Sequence, residues 1–189
     1  MFKWLKRLHK RKEYKRYIYK HKQNILRAFY EMTQCKDLEW IVKDPAILEP
    51  LWIRALEHDD SKYDAEEFEA YRKHYFPVDD KEFLENEEQY QKAWEHHKQN
   101  NDHHWQARVN WRDEDFDIKT ELACLENIMD WLAVGYEWKD RPVDYYEAHK
   151  SSITLPQLQK EFMEKCIYQG IDKKYLLEKE EKYNIWDEL

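Results

Sequence analysis

Glycine is nearly missing from this chain: 189 residues contain two, alongside 5 prolines and 3 cysteines. So little glycine excludes collagen-like and loop-rich architectures, and with them the phosphate loops GxxxxGK(S/T) and GxGxxG. The cysteines (Cys35, Cys124, Cys166) are odd in number, far apart and never in a CxxC pair. Neither a disulfide framework nor a cysteine zinc site is expected, and three free thiols in a reducing compartment are. No apolar run approaches the roughly 18 residues that a membrane span needs. An apolar leader with a small-residue cleavage site is also lacking. No GxSxG is present and no cysteine–histidine pairing is suggested, so covalent catalysis is not indicated. A soluble, cytoplasmic chain is the expectation.

What the sequence has in quantity is charge and aromatic surface. Charged residues make up 38% and aromatic residues 16%, the mark of a packed chain rather than a disordered one. The length suits one domain with a sizeable core. Charge is uneven. Residues 1–22 hold ten Lys/Arg against Glu13 alone, leaving the rest of the chain with 22 basic and 39 acidic residues, a net of −17. Residues 1–16, with Phe2, Trp4, Leu5 and Leu8, form a basic helix start that could touch an anionic surface or simply offset the acidic body. The acidic remainder argues against broad nucleic-acid binding, because neutralising phosphates needs positive charge spread over a surface.

The period is helical nearly throughout, with no alternating strand pattern of useful length, so the expected fold class is all-α, a single-domain bundle over residues 17–189. Tyr14, Ile18, His21, Ile25, Ala28 and Met32 step by three and four along one stripe. A helix starts near Pro45 and carries Leu48, Leu51, Ala55, then His58 and Asp59. A short one spans roughly Ala65 to Tyr75. Another runs from about Asp79 through Phe83, Tyr90 and Trp94 to His97. Asn100-Asn101-Asp102 reads as a break and a cap ahead of His103. A long apolar helix follows from about Asp117 to Val134, closed by Gly135. Pro142 and Pro156 punctuate shorter helices beyond it.

On this reading His21, His58, Asp59 and His97 point inward, and Glu126 and Asp130 share one edge of the long helix. Buried imidazoles and carboxylates are costly unless they pair or bind metal. They could satisfy one another as a polar core, or hold zinc, iron, manganese or a related divalent ion. Trp94, Trp105 and Trp131 flank these residues and are expected as packing, with stacking open to one that faces a cleft. Ser61 is expected to cap the helix from Ala65, or else to donate to a phosphate. His9, His74, His96 and His149 are expected at the surface.

The order His21, His58-Asp59, His97, His103-His104, Asp130 resembles the metal-dependent HD-domain superfamily, whose helical members supply ligands as His … His-Asp … His … His … Asp. His58-Asp59-Asp60-Ser61-Lys62 is similar to the HDxxK form of the motif, although Asp60 stands where an apolar residue is usual. A closer resemblance covers about Tyr17 to Tyr146. Its pieces are His58-Asp59-x-Ser61-Lys62, Glu67-Phe68-x-x-Tyr71, Ala93-Trp94-x-x-His97, Asn101-x-His103-His104-Trp105 and Asp130-Trp131. Together they look like an uncharacterised family of phages and Gram-positive bacteria without an assigned activity, which would place the chain in a bacterial host's cytoplasm if it is phage-encoded.

The superfamily resemblance implies that His21, His58, Asp59 and Asp130 form a core metal site, with Asp59 bridging to a second ion completed by His97 and one or both of His103 and His104. In a one-ion form, the extra histidines would contact substrate. It implies one or two ions of Mn, Fe, Co, Ni, Zn or Mg, and a water made acidic enough to attack phosphorus. Lys62 would stabilise the growing charge, and Glu126 would orient a ligand from behind or pair with Arg or Lys. The implied function is hydrolysis of a nucleotide or other small phosphate ester. Two alternatives stand beside it: a non-catalytic binding protein for a nucleotide or another protein, with a structural His/Asp cluster, and an HD-type diiron oxygenase.

Overall fold

The apolar stripes expected from the sequence become α-helices that lie along one buried helix. A computed structural model describes residues 3–139 and 141–171. Among them every regular element is helical: α1 Lys3–Gln34, α2 Trp40–Lys43, α3 Pro45–Glu57, α4 Phe68–Tyr75, α5 Asp80–Leu84, α6 Glu87–Asn100, α7 Ile118–Trp138, α8 Pro142–His149 and α9 Gln157–Lys165. None is long and apolar enough to cross a membrane.

Helix α7 forms the axis. Asp117 caps it by accepting from the Thr120 backbone N–H at 3.0 Å. Its side chains from Leu122 to Met129 are all buried, and α1, α3 and α9 pack against it. Burying Leu125 or Ile128 completely stabilises the fold by about 1.5–3 kcal/mol each. The core has two parts. The larger surrounds α7 and includes Ile25, Ala28, Met32, Leu51 and Ala55. The smaller joins Tyr14 and Ile18 to Phe68, Tyr71 and Ala93. The α1 stripe runs through both parts, with His21 at the seam between Ile18 and Ile25. That seam is where the polar residues gather.

The structure corrects several sequence expectations. Helix α7 does not stop at Gly135; it runs on to Trp138 and ends where Lys139 takes the left-handed conformation, φ 57°. Helix α4 starts at Phe68, because a tight turn over Asp60–Tyr63 and further turn residues at 64–67 precede it. The stretch from Asp79 to His97 is two helices. Asn86 breaks it, donating its side-chain amide to the Ala70 carbonyl at 2.7 Å. No helix follows Asp102: residues 101–117 are irregular, apart from single turns at Trp105–Ala107 and Asp113–Asp115. Here side-chain bonds, not helical periodicity, fix the chain.

The basic head is the first half of the unbroken α1. Lys3, Arg7 and Arg11 reach Asp79, Glu82 and Glu69 at 3.2, 3.6 and 2.8 Å, which favours its role as an offset to the acidic body. All three cysteines are buried and none is in a disulfide.

Candidate metal centre

The cluster is organised around Asp59. Helix α3 ends at Glu57, His58 leaves the helical region with ψ 127°, and Asp59 follows in the left-handed conformation at φ 59°, ψ 19°. Aspartate is among the few residues that tolerate this region, at a cost of roughly 1–2 kcal/mol. The turn leaves His58 and Asp59 each 1% exposed, with both side chains facing the seam.

The two carboxylate oxygens of Asp59 face two groups. Oδ2 lies 3.5 Å from both His21 Nε2 and His58 Nε2. Those nitrogens are 3.2 Å apart, with Asp130 Oδ1 3.2 and 3.7 Å from them. Oδ1 lies 3.1 Å from His97 Nε2 and 3.8 Å from His103 Nε2, while His97 Nε2 is 2.9 Å from His104 Nε2. Thus α1, α3, α6, α7 and the irregular 101–108 segment each send ligand-type atoms to one point. His21, His58, Asp59, His97, His103, His104 and Asp130 are all brought together.

Carboxylates behind the rings fix which nitrogen is bare. Glu126 Oε1 is 2.8 Å from His58 Nδ1 and 3.2 Å from His103 Nδ1. Glu67 Oε2 is 2.8 Å from His97 Nδ1. An ionised carboxylate can only accept, so each Nδ1 donates and the Nε2 of each ring faces Asp59, with a bare lone pair whenever that ring is neutral. Arg54 holds Glu126 from the far side, Nε to Oε2 at 2.5 Å, and also contacts Asp102.

This donor set fits a divalent ion. Asp59 Oδ1 and His103 Nε2 are buried and make no hydrogen bond, leaving two polar atoms aimed at one gap, an unfavourable state that a cation would relieve. The atoms of Asp59, His97, His103 and His104 lie within 4.8 Å of one another, as do those of His21, His58 and Asp130. Imidazole with carboxylate suits zinc, iron and manganese. His58, His103 and Glu126 also converge, but Glu126 meets the Nδ1 atoms and therefore stands behind the ligands.

Burial and these contacts set the charges. Burial alone would raise Asp59, yet Lys62, His58 and His97 outweigh it and hold the carboxyl well below its usual range. Asp130 is likewise held well below despite burial, by His21 and His58. Glu126 is lowered despite burial by His103 and His58. Burial opposes a charge on His58, but Asp59, Asp130 and Glu126 push it up to about 10. Burial lowers His103 and His104, assisted by neighbouring imidazoles. The ammonium of Lys62 sits 2.5 Å from Asp59 Oδ2, and Asp59 raises its pKa against the effect of burial.

Asp60 turns outward to pair with Lys22. Ser61 is no helix cap: its hydroxyl meets His97 Nδ1 at 3.1 Å and accepts from the Asn101 amide at 2.7 Å. His96 is not a free surface residue, since its Nδ1 meets Glu67 Oε1 at 2.8 Å. Sequence reasoning missed Glu67, Arg54 and Arg108. Glu67 opens the Glu67-Phe68-x-x-Tyr71 motif, and Arg54 lies on α3, four residues before His58. Arg108 is fully buried and donates to the Asp102 and His103 carbonyls at 2.7 and 2.6 Å, to Gln159 and to Asn127. It pins the loop that carries His103 and His104.

Two cavities adjoin the centre. The larger, about 820 Å³, reaches Glu126 and Ser61 on the Nδ1 side of the rings. The smaller, about 430 Å³, has His104 and Asp130 in its wall, together with Trp94, Trp105, Trp131 and Trp138.

Residues 10–171 match a family model described as "Family of unknown function (DUF5662)". No curated protein and no solved structure matches the chain.

Proposed function

Because the chain belongs to this family of unknown function, its activity has to be read from its own site, and we propose that it is a metal-dependent phosphohydrolase of the HD type acting on a small phosphate ester. The observation that carries the reading is the division of Asp59, whose two oxygens each face a separate group of imidazole Nε2 atoms, while Lys62 stands on Oδ2.

A divalent ion bound there supplies a Lewis acid for phosphoryl oxygen and a water that loses its proton near neutral pH. The chain's own residues do the rest. Asp59 and Asp130 contribute anionic oxygens, and five imidazoles contribute neutral nitrogens. Glu126 and Glu67 keep the proton of His58, His103 and His97 on Nδ1. Lys62, with a side chain 16% exposed, is within reach of a phosphoryl oxygen beside Asp59 and would offset charge developing on it.

A second reading has its own support. The cluster ties α1, α3, α6, the 101–108 segment and α7 together, so a metal could serve as a staple in a non-catalytic binding protein. The deciding experiment is elemental analysis of untagged, undialysed protein with His58→Ala and Asp59→Ala as controls, followed by a phosphoester screen. One or two equivalents of transition metal, lost in folded variants together with phosphate release, support the hydrolase. Metal without turnover on any ester, and variants that unfold, support the staple. Folded wild type that takes up no metal, even with added Mn²⁺ or Mg²⁺, defeats both.

A further inference from the structure

The substrate must reach the open face of the cluster, and the two cavities differ in what they offer it. The larger one reaches one residue of the centre, His103, and otherwise approaches from behind the rings, beside Glu126 and Ser61. Its wall carries Glu57, Asp60, Glu95, Asp102 and Glu126 against Arg54, Lys98 and Lys119, an excess of acid that repels a phosphate. The smaller one has ligand residues from both groups, His104 and Asp130, in its wall. Half of its other lining residues are aromatic. On one side the Trp94 indole packs edge-on to His104 with centroids 5.1 Å apart and lies 6.0 Å from the His97 ring. On the other, Trp131 lies 5.0 Å from Tyr145. Trp105 is half-buried, and Trp138, 74% exposed, stands at the rim.

Four indoles around one opening are more than closing the core requires, since Trp138 gains little burial there. A cavity of about 430 Å³ lies within the usual range for small-ligand sites. Flat aromatic walls favour a flat aromatic guest, through stacking that tolerates many ring types. We propose that this cavity is the subsite for a planar aromatic ring carried by the substrate, with its phosphate against His104 and Asp130 and its ring among Trp94, Trp131 and Trp138. The proposal rests on the phosphoester reading and names the class of ester: one built on a planar aromatic group rather than on a sugar or short alcohol alone. A nucleobase and a simple aryl group share this chemistry.

The test is calorimetric binding to the full-length protein as purified with its metal, using ligands that cannot turn over. The probes are methylphosphonate, naphthylmethylphosphonate and the phosphonate analogue of adenosine 5′-monophosphate. At least one ring-bearing probe is expected to bind about 5- to 150-fold tighter than methylphosphonate, the worth of one stacking contact. Trp138→Ala is expected to shrink that advantage while leaving methylphosphonate affinity unchanged. A gain confined to the adenosine probe identifies a nucleobase; one confined to the naphthyl probe identifies an aryl group. Equal affinities for all three probes overturn the subsite, even if the protein hydrolyses phosphate esters. Ring-dependent binding without hydrolysis of any ester leaves the subsite standing and defeats the hydrolase. If no phosphonate binds, both fall.

Discussion

Glu126→Gln separates tautomer control from simple charge. The native carboxylate accepts from His58 Nδ1 and His103 Nδ1 through one oxygen and from Arg54 through the other. A glutamine can satisfy only part of this. With its oxygen toward the imidazoles, its amide faces the Arg54 Nε–H, donor against donor. Flipped, it donates to both Nδ1 atoms and drives each ring proton to Nε2, where the ion needs a lone pair. Losing an orienting partner of this kind costs about 10- to 100-fold in metal affinity, or about 1.4–2.8 kcal/mol. His58 and His103 belong to different ligand groups, so one substitution should weaken both ions. Glu67 touches only His97 among the ligands, so Glu67→Gln should weaken only the ion on the Oδ1 side of Asp59. Titration with Co²⁺, followed by visible absorption and by competition with a chromogenic chelator, resolves the two steps. Circular dichroism confirms that the variants are folded. Unchanged affinity at both steps in folded Glu126→Gln would refute the argument, as would equal weakening of both steps by Glu67→Gln.

Arg108→Met should destabilise the protein by about 3–5 kcal/mol in urea unfolding, because it strands the buried Asp102 and His103 carbonyls; a loss under 1 kcal/mol would show that the loop holds without it. The same variant should lose the ion on the His103–His104 side first, read by metal content. The metal-free protein should lose stability at both ends of the pH range. Asp59, Asp130 and Glu126 are lowered, so their contribution is present above about pH 4 and is lost as pH falls further. His58 is raised to about 10, so its contribution is complete below about pH 6.5 and drains away as pH rises toward 10. A bound ion displaces that proton, so thermal melts with metal should lack the alkaline loss. Metal affinity should rise about tenfold per unit from pH 6.5 to 8.5; an affinity flat over that window would count against a charged His58.

How much of this was visible in the sequence depended on whether a helix carried the residue. His21 could be placed because its stripe is long and strictly periodic. His97 followed from Trp94 and Tyr90 in the same way, and Glu126 and Asp130 from the apolar run around them. The inward placement of these residues therefore did not depend on where the helices end. Residues 101–108 were beyond that logic. Periodicity says nothing about a segment fixed by one buried arginine, so a cap and helix were expected where a loop stands. The reach of Ser61 was lost for a related reason, since it depends on the left-handed turn at Asp59. Polar partners such as Glu67 and Arg54 are hardest to see, because their burial follows from what they touch.

The charges of the cluster connect the number of ions to the substrate. Asp59, Asp130, Glu126, Glu67 and Asp102 stand against Lys62 and Arg54, a deficit of three charges when the imidazoles are neutral. One divalent ion leaves the centre still negative; two make it positive. The chain around it carries a formal net charge of −8, so long-range attraction will not bring a phosphate dianion in. Only the two-ion form offers an anion a favourable local field. Inorganic phosphate should therefore bind measurably after the second equivalent of metal and not after the first, in calorimetric titrations of protein loaded stepwise. Phosphate binding of equal strength to the one-ion form would show that Lys62 suffices, and would assign the second group of histidines to substrate contact instead.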